Sequence, residues 1–230
     1  MPEGTVQRAQ GRGRFISFEG GEGAGKSTQI KKLSSRLNAA NVRTLITREP
    51  GGSPGAEIVR HLVLSGMGKL LGPDAETLLF AAARDDHVRT VIQPALAQGT
   101  WVLCDRFADS TRVYQGRLGR VEPAVLNAME RVTIGDLKPD LTLILDVPVE
   151  VGLRRAAARR GNATADRFES EDVRFHEELR EAYREIAVAE PGRCVLIDAS
   201  ADADAVAARV WDALRRRFSA ASTASAASPA

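Results

Sequence analysis

Phe18-Glu19-Gly20-Gly21-Glu22-Gly23-Ala24-Gly25-Lys26-Ser27-Thr28 carries the strongest structural signal in the chain. From Gly20 to Ser27 it fits the phosphate-binding loop pattern of Gly, four residues, Gly, Lys and Ser or Thr. The apolar run Phe15-Ile16-Ser17-Phe18 before it reads as a buried strand, and Lys31–Leu37 after it has helical spacing. Glycines let backbone N–H groups curl around an anion without Cβ clashes, and a helix N-terminus adds partial positive charge. Lys26 is placed to reach the β- and γ-phosphates, and the Ser27 hydroxyl to ligate Mg²⁺. A glycine-rich turn with a chance lysine is the competing reading; the strand and helix on either side count against it. The expected ligand is a nucleoside triphosphate, held by Gly20, Gly21, Glu22, Gly23, Ala24, Gly25, Lys26, Ser27 and Thr28.

Working outward, strands and helices alternate. Strands are expected at Arg14–Phe18, Val42–Thr47, Thr100–Asp105, Leu141–Asp146 and Cys194–Ile197, each a short and mostly apolar run. Helices are expected at Lys26–Ala40, Pro54–Leu64, Asp74–Ala97, Pro123–Ile134, Pro148–Arg159, Asp172–Ala189 and Ala203–Phe218. Alternation of this kind predicts an α/β fold, a doubly wound five-stranded parallel sheet with its ligand at the strand C-termini. Residues 1–13 read as a disordered lead-in, 14–218 as one domain, and 219–230 as a low-complexity Ala/Ser tail.

The 230 residues suffice for one such domain, and a net charge of +2 implies no strong field toward nucleic acid or a membrane. Cys104 and Cys194 fall in different apolar strands and are expected to be free thiols in a reducing compartment. No run has membrane-spanning length and no signal-peptide core opens the chain, so a soluble, cytoplasmic protein is expected.

A phosphate loop does not by itself separate kinases from switches. Trp101–Arg106 is an apolar strand ending in Asp-Arg, and Asp105 there can hold the Mg²⁺ shell. Leu143-Ile144-Leu145-Asp146 is a rival, and only the adjacent Arg106 tilts the choice toward Asp105. Arg48 follows another strand and should project into the same cleft. Arg154, Arg155, Arg159, Arg160 and Arg167 crowd around Gly161–Thr164, which reads as a basic lid over about residues 154–168. Phosphoryl transfer needs charge neutralisation and exclusion of water, and such a lid supplies both.

The ordered motifs FEGGEGAGKST (18–28), TREPGG (47–52), LLFAAARDDHV (78–88), DRFADSTRVYQG (105–116), PDLTLILDV (139–147) and DRFE (166–169) closely resemble those of bacterial thymidylate kinases. The resemblance runs from Arg14 to Phe218 and implies transfer of the γ-phosphate of ATP to dTMP, a step of dTTP synthesis, by a Mg²⁺-dependent homodimer. It further implies that Phe80 stacks on thymine and that Arg84 hydrogen-bonds its edge. On the same basis Arg48 and Arg106 hold the dTMP phosphate, and Glu22 contacts the 3′-hydroxyl. Ser110, Tyr114 and Gln115 would line the nucleoside pocket, with Tyr114 crowding the 2′ position, while Asp105 and Glu169 assist the metal shell.

The loop carries no arginine, which in this resemblance assigns the catalytic arginine to the lid. The run from Arg159 to Arg167 is longer than the short Arg-Gly-X-X-Asp-Arg form, which leaves Arg155, Arg159, Arg160 and Arg167 all as candidates; Arg160, next to the hinge candidate Gly161, comes first. Another nucleotide kinase is the runner-up reading. A phosphate-loop switch is the rival from a different class, and the absence of an Asn-Lys-X-Asp motif counts against a guanine-reading one.

Overall fold

The computed structural model describes residues 12–161 and 167–225. Five strands, β1 (Phe15–Glu19), β2 (Thr44–Arg48), β3 (Trp101–Asp105), β4 (Leu141–Asp146) and β5 (Cys194–Asp198), form one sheet. The order is β2-β3-β1-β4-β5, and every pair is parallel. The sheet is the doubly wound one expected from the alternation of elements, with strand ends shifted by one or two residues.

The order puts β1 at the centre, so the loop that leaves it emerges between β3 and β4, where the winding reverses. In register, Phe18 and Arg48 both stand beside Asp105. The ends of three strands thereby deliver the phosphate loop, the Asp-Arg pair and Arg48 to one edge.

Alternating strand side chains fill both faces. Ile16, Phe18, Leu103, Leu143 and Leu145 pack under Ile30, Leu33 and Leu37 of helix α1 (Lys26–Ala39) and under Val206, Val210 and Leu214 of α9 (Ala203–Ser225). Phe15, Val102 and Cys104 pack on the other face against Val88, Ile92 and Leu96. Each such Leu or Ile removed from water contributes roughly 1.5–3 kcal/mol. Cys104 and Cys194 are free and buried. Among the described residues no helix is long and apolar enough to cross a membrane.

Four expectations change. The single helix expected at Asp74–Ala97 is α3 (Pro73–His87), a π-helical turn (Val88–Ile92) and α4 (Gln93–Ala97). Pro94 has no N–H and its ring crowds the preceding turn, which accounts for the widening just before it. The helical stretch α5 (Ala108–Thr111) with its π-helical continuation Arg112–Leu118 goes unpredicted. Its Ser, Thr, Val and Gly content hides it from propensity. At the ends, Gly13 is tied in by its N–H to the Leu96 carbonyl at 2.8 Å, although the lead-in was expected to run through it. Helix α9 reaches Ser225 rather than Phe218, since alanine is the strongest helix former. Residues 1–11 and 226–230 lie outside the described residues, as does lid segment 162–166.

The remaining helices are α2 (Pro54–Leu64), α6 (Pro123–Thr133), α7 (Val149–Arg160) and α8 (Val173–Ala189). Proline starts α2, α3 and α6, where no N–H is needed. The Asp172 carboxylate caps α8 by accepting the Phe175 N–H at 2.8 Å. At the other end of the lid, α7 stops at Gly161, whose φ of 59° suits glycine.

Candidate active site

Gly25, with φ of 90°, turns the chain from the loop into α1. The Lys26 ammonium folds back on the carbonyls of Gly20 and Gly21, 3.0 Å from each. Burial, then the neighbouring Arg106, lowers its pKa. Ser27 Oγ donates to Asp105 Oδ2 at 2.7 Å. The rival Asp146 is gripped by Arg180 through two bonds of 2.6 and 2.9 Å and by Arg184 at 3.2 Å. Asp105 is therefore the carboxylate beside the loop hydroxyl. Two hard oxygen donors facing each other at the mouth of a phosphate loop suit Mg²⁺, whose remaining positions water and phosphate fill. Among the described residues, no cluster of three or more His, Cys, Asp or Glu could hold a metal without such help.

A cavity of about 400 Å³ opens above these groups. One wall is the loop from Glu22 to Thr28. The opposite wall brings together Arg48, Phe80, Arg84, Arg106, Ser110, Tyr114 and Gln115 from β2, α3, the turn after β3 and the α5 stretch. Gly20 and Gly21 lie behind the loop, lining a small separate cavity.

Arg106 has φ of 71°, a conformation unfavourable for a side chain of its size. Its guanidinium bonds Glu22 Oε1 through Nη2 at 2.8 Å and stands 5.1 Å from the Tyr114 ring centroid. Burial opposes the charge of Glu22, but Arg106, Lys26 and Arg159 together outweigh it and hold the carboxyl below its usual range. Arg48 Nη2 rests on Glu57 at 2.9 Å. Arg84 is braced by Glu49 through Nε at 2.7 Å and by Thr111 through Nη2 at 3.0 Å. Gln115 Nε2 approaches Glu76 at 3.4 Å, and the Tyr114 hydroxyl is buried without a partner.

The lid arginines separate. Arg159 lines the cavity, with Nη2 resting on Glu169 at 2.7 Å. Arg160 holds the other oxygen of Glu169 at 2.8 Å and is not in the lining. Arg155 reaches instead to the carbonyls of Ala199, Ser200 and Ala201 after β5. Arg167 forms a two-pronged pair with Glu76. Glu169, expected near the metal, has both oxygens bonded to lid arginines, and Ser27 pairs with Asp105 alone of the two expected carboxylates.

Among the described residues, four buried carboxylates have no role expected from the sequence; one of them, Asp109, pairs with Arg193. Glu49 bonds Arg84 and His87, Glu76 bonds Arg167 and Gln115, and Glu19 sits under Arg106. Burial above all, and then Asp109, pushes Glu19 up to about 7, against the hydrogen bond from Ser110 and the attraction of Arg106. The folded chain thus holds this proton more tightly than the unfolded chain, whose group titrates near 4.5. Stability present at low pH is lost as pH rises from about 4.5 to about 7. Relative to Glu19→Gln, which cannot titrate, the wild-type Tm is expected to fall steadily across that window. Parallel Tm curves would exclude Glu19 as the source.

Phe80 is 9% exposed and still lines the cavity, so it belongs to both the core and the cavity wall. If Phe80 stacks on thymine, as the sequence resemblance implies, Phe80→Ala is expected to weaken dTMP binding by roughly 1–3 kcal/mol with ATP affinity little changed. Calorimetric titration with each nucleotide distinguishes this from collapse of the core, in which both affinities fall together.

This fold and cavity define a phosphate-loop nucleotide kinase, with room for an acceptor opposite the loop. The family model described as thymidylate kinase matches residues 18–210. The chain is 76% identical over 218 residues to the thymidylate kinase of Bradyrhizobium diazoefficiens, covering 95% of this chain and 96% of that protein. It is 73% identical to that of Nitrobacter winogradskyi over the full length of both. The crystal structure of thymidylate kinase from Ehrlichia chaffeensis matches with a TM-score of 0.69 at 31% identity, covering 88% of this chain and 99% of that one. The chain belongs to the thymidylate kinase family.

Proposed function

We propose that this protein transfers the γ-phosphoryl group of ATP to dTMP, giving dTDP and ADP. The observation that carries the reading is the single cavity in which the phosphate loop faces Arg48, Phe80, Arg84 and Arg106. Two anions must approach each other there, and Lys26, Arg48 and Arg106 line the cavity to offset their repulsion.

Phe80 stacks on the acceptor base, and Arg84, fixed through Nε and Nη2, offers its remaining donors to the base edge. Tyr114 walls the sugar with its ring, while its hydroxyl is buried beside Arg106. Arg48 and Arg106 grip the dTMP phosphate, which requires Arg48 to exchange Glu57 for substrate. Glu22 meets the 3′-hydroxyl. Lys26 leaves the Gly20 and Gly21 carbonyls for the β- and γ-phosphates of ATP, which the loop N–H groups cradle. Ser27 and Asp105 would hold Mg²⁺, which when bound supplies neutralisation of phosphate charge. Among the lid arginines, Arg159 best fits the catalytic role, since it already lines the cavity and acts on Glu22. It would release Glu169 to bridge the two phosphates as charge develops.

A coupled assay with ATP, Mg²⁺ and dTMP, dUMP, AMP, CMP or thymidine as acceptor tests the reading. Turnover should be highest with dTMP, and ATP consumption that ignores the acceptor would refute it.

The working form is a homodimer in the cytoplasm. Helix α3 lies between α2 and α6, and the three expose Leu78, Ile58 and Val132 at 51%, 75% and 75%. Apolar residues turned outward on three adjacent helices suit a second copy of the chain. Light scattering on the full chain should give twice the chain mass, falling to one chain mass for Leu78→Glu. A wild-type monomer would overturn the assignment.

A further inference from the structure

Glu19 is the last residue of β1, fully buried, and has no place in the chemistry above. Its carboxylate accepts the Phe107 N–H at 2.7 Å, Ser110 Oγ at 2.7 Å and the Tyr183 hydroxyl at 3.1 Å. Those hydroxyls lie 2.8 Å apart, and both accept from Nη1 of Arg106, at 3.3 and 3.1 Å. Arg106 is thus held on one side by Glu22 and on the other by two hydroxyls that end on Glu19. We propose that Glu19 is a positioning residue that fixes the Arg106 guanidinium for the dTMP phosphate through Ser110 and Tyr183.

The direction of the hydrogen bonds requires a carboxylate. Guanidinium N–H groups only donate, so Ser110 and Tyr183 must receive from Arg106 and send their own protons elsewhere. Once ionised, above its raised pKa of about 7, the carboxylate is acceptor-only and takes both. An amide offers one oxygen, so its NH2 group would face either the Phe107 N–H or the two hydroxyls, and the donors on that side would lose their acceptor. A buried carboxylate without such use would be an unfavourable choice, since an apolar or neutral side chain costs far less to desolvate. The Phe107 contact adds a backbone component. Arg106 occupies the left-handed region at φ of 71°, and its strained turn is pinned by its own N–H to the Phe18 carbonyl at 2.9 Å and by the next N–H to Glu19.

This inference rests on the phosphate role given to Arg106 above, and a mutant cycle on the full chain keeps the two apart. Arg106→Ala should raise KM for dTMP about a hundredfold, the usual scale for a lost buried charge contact. Glu19→Gln should raise it about tenfold, with KM for ATP changed less than about twofold. The double variant should match Arg106→Ala alone, because the relay has nothing left to position. Tyr183→Phe, which keeps the ring, repeats the cycle should Glu19→Gln fail to fold, and is expected to show the same loss of additivity. Effects that multiply in the double variant, or a wild-type KM for dTMP in Glu19→Gln, would overturn the proposal. Arg106→Ala with a wild-type KM for dTMP would overturn the phosphate role of Arg106 instead.

Discussion

Arg159→Ala is expected to lower turnover by about a thousandfold, the scale of other arginine fingers, while dTMP affinity changes far less. The guanidinium rests on Glu169 at 2.7 Å and has to reach the transferring group, so its contact belongs mainly to the transition state. Arg159→Lys should rescue poorly, because a point charge cannot span two phosphate oxygens as a planar fork does. Single-turnover rates for Arg155, Arg159, Arg160 and Arg167 variants check the assignment one at a time. If Arg160→Ala shows the larger loss, the two adjacent arginines exchange roles. If none loses rate, the lid only covers the site.

Lys26→Ala is expected to remove most of the transfer, about a hundredfold or more, since its ammonium neutralises charge where it develops. The fold should persist, with a modest loss of Tm: Lys26 is 9% exposed and its ammonium caps the Gly20 and Gly21 carbonyls, which alanine leaves unmatched. Circular dichroism with a coupled assay separates the two effects. A folded Lys26→Ala protein of near-normal rate would refute the phosphate-loop mechanism.

The sheet was legible because its strands are short, apolar and punctuated by helical spacing. Pairing through space was less so. Asp105 and Asp146 end similar strands; the adjacent Arg106 tilts the choice in sequence, and the approach of Ser27 across 78 residues, against the grip of Arg180 on Asp146, adds what the sequence lacks. Arg159 and Arg160 are neighbours in sequence, yet successive residues on a helix point about 100° apart. Without the rotation of α7, the sequence could not say which one faces the cavity. Glu19 carried one signal, a carboxylate closing the apolar run from Phe15 to Phe18. Glu76 carried none, since an acidic residue in a first helical turn is ordinary dipole compensation.

Helix α1, which begins with Lys26 and Ser27, is backed by the last helix of the fold. Gln29 bonds the Ala203 carbonyl at 2.9 Å, Lys32 pairs with Asp204 at 2.7 Å, and Arg36 stacks 4.0 Å from the Trp211 ring centroid. During synthesis, the phosphate loop therefore leaves the ribosome long before the surface that supports it exists. Its strand also waits, in the middle of the sheet, for both neighbours to be made. A nascent chain halted before Ala203 carries every loop residue and lacks the support behind them. Nucleotide binding by ribosome-bound chains of increasing length would appear late, as one step, once α9 is free to dock.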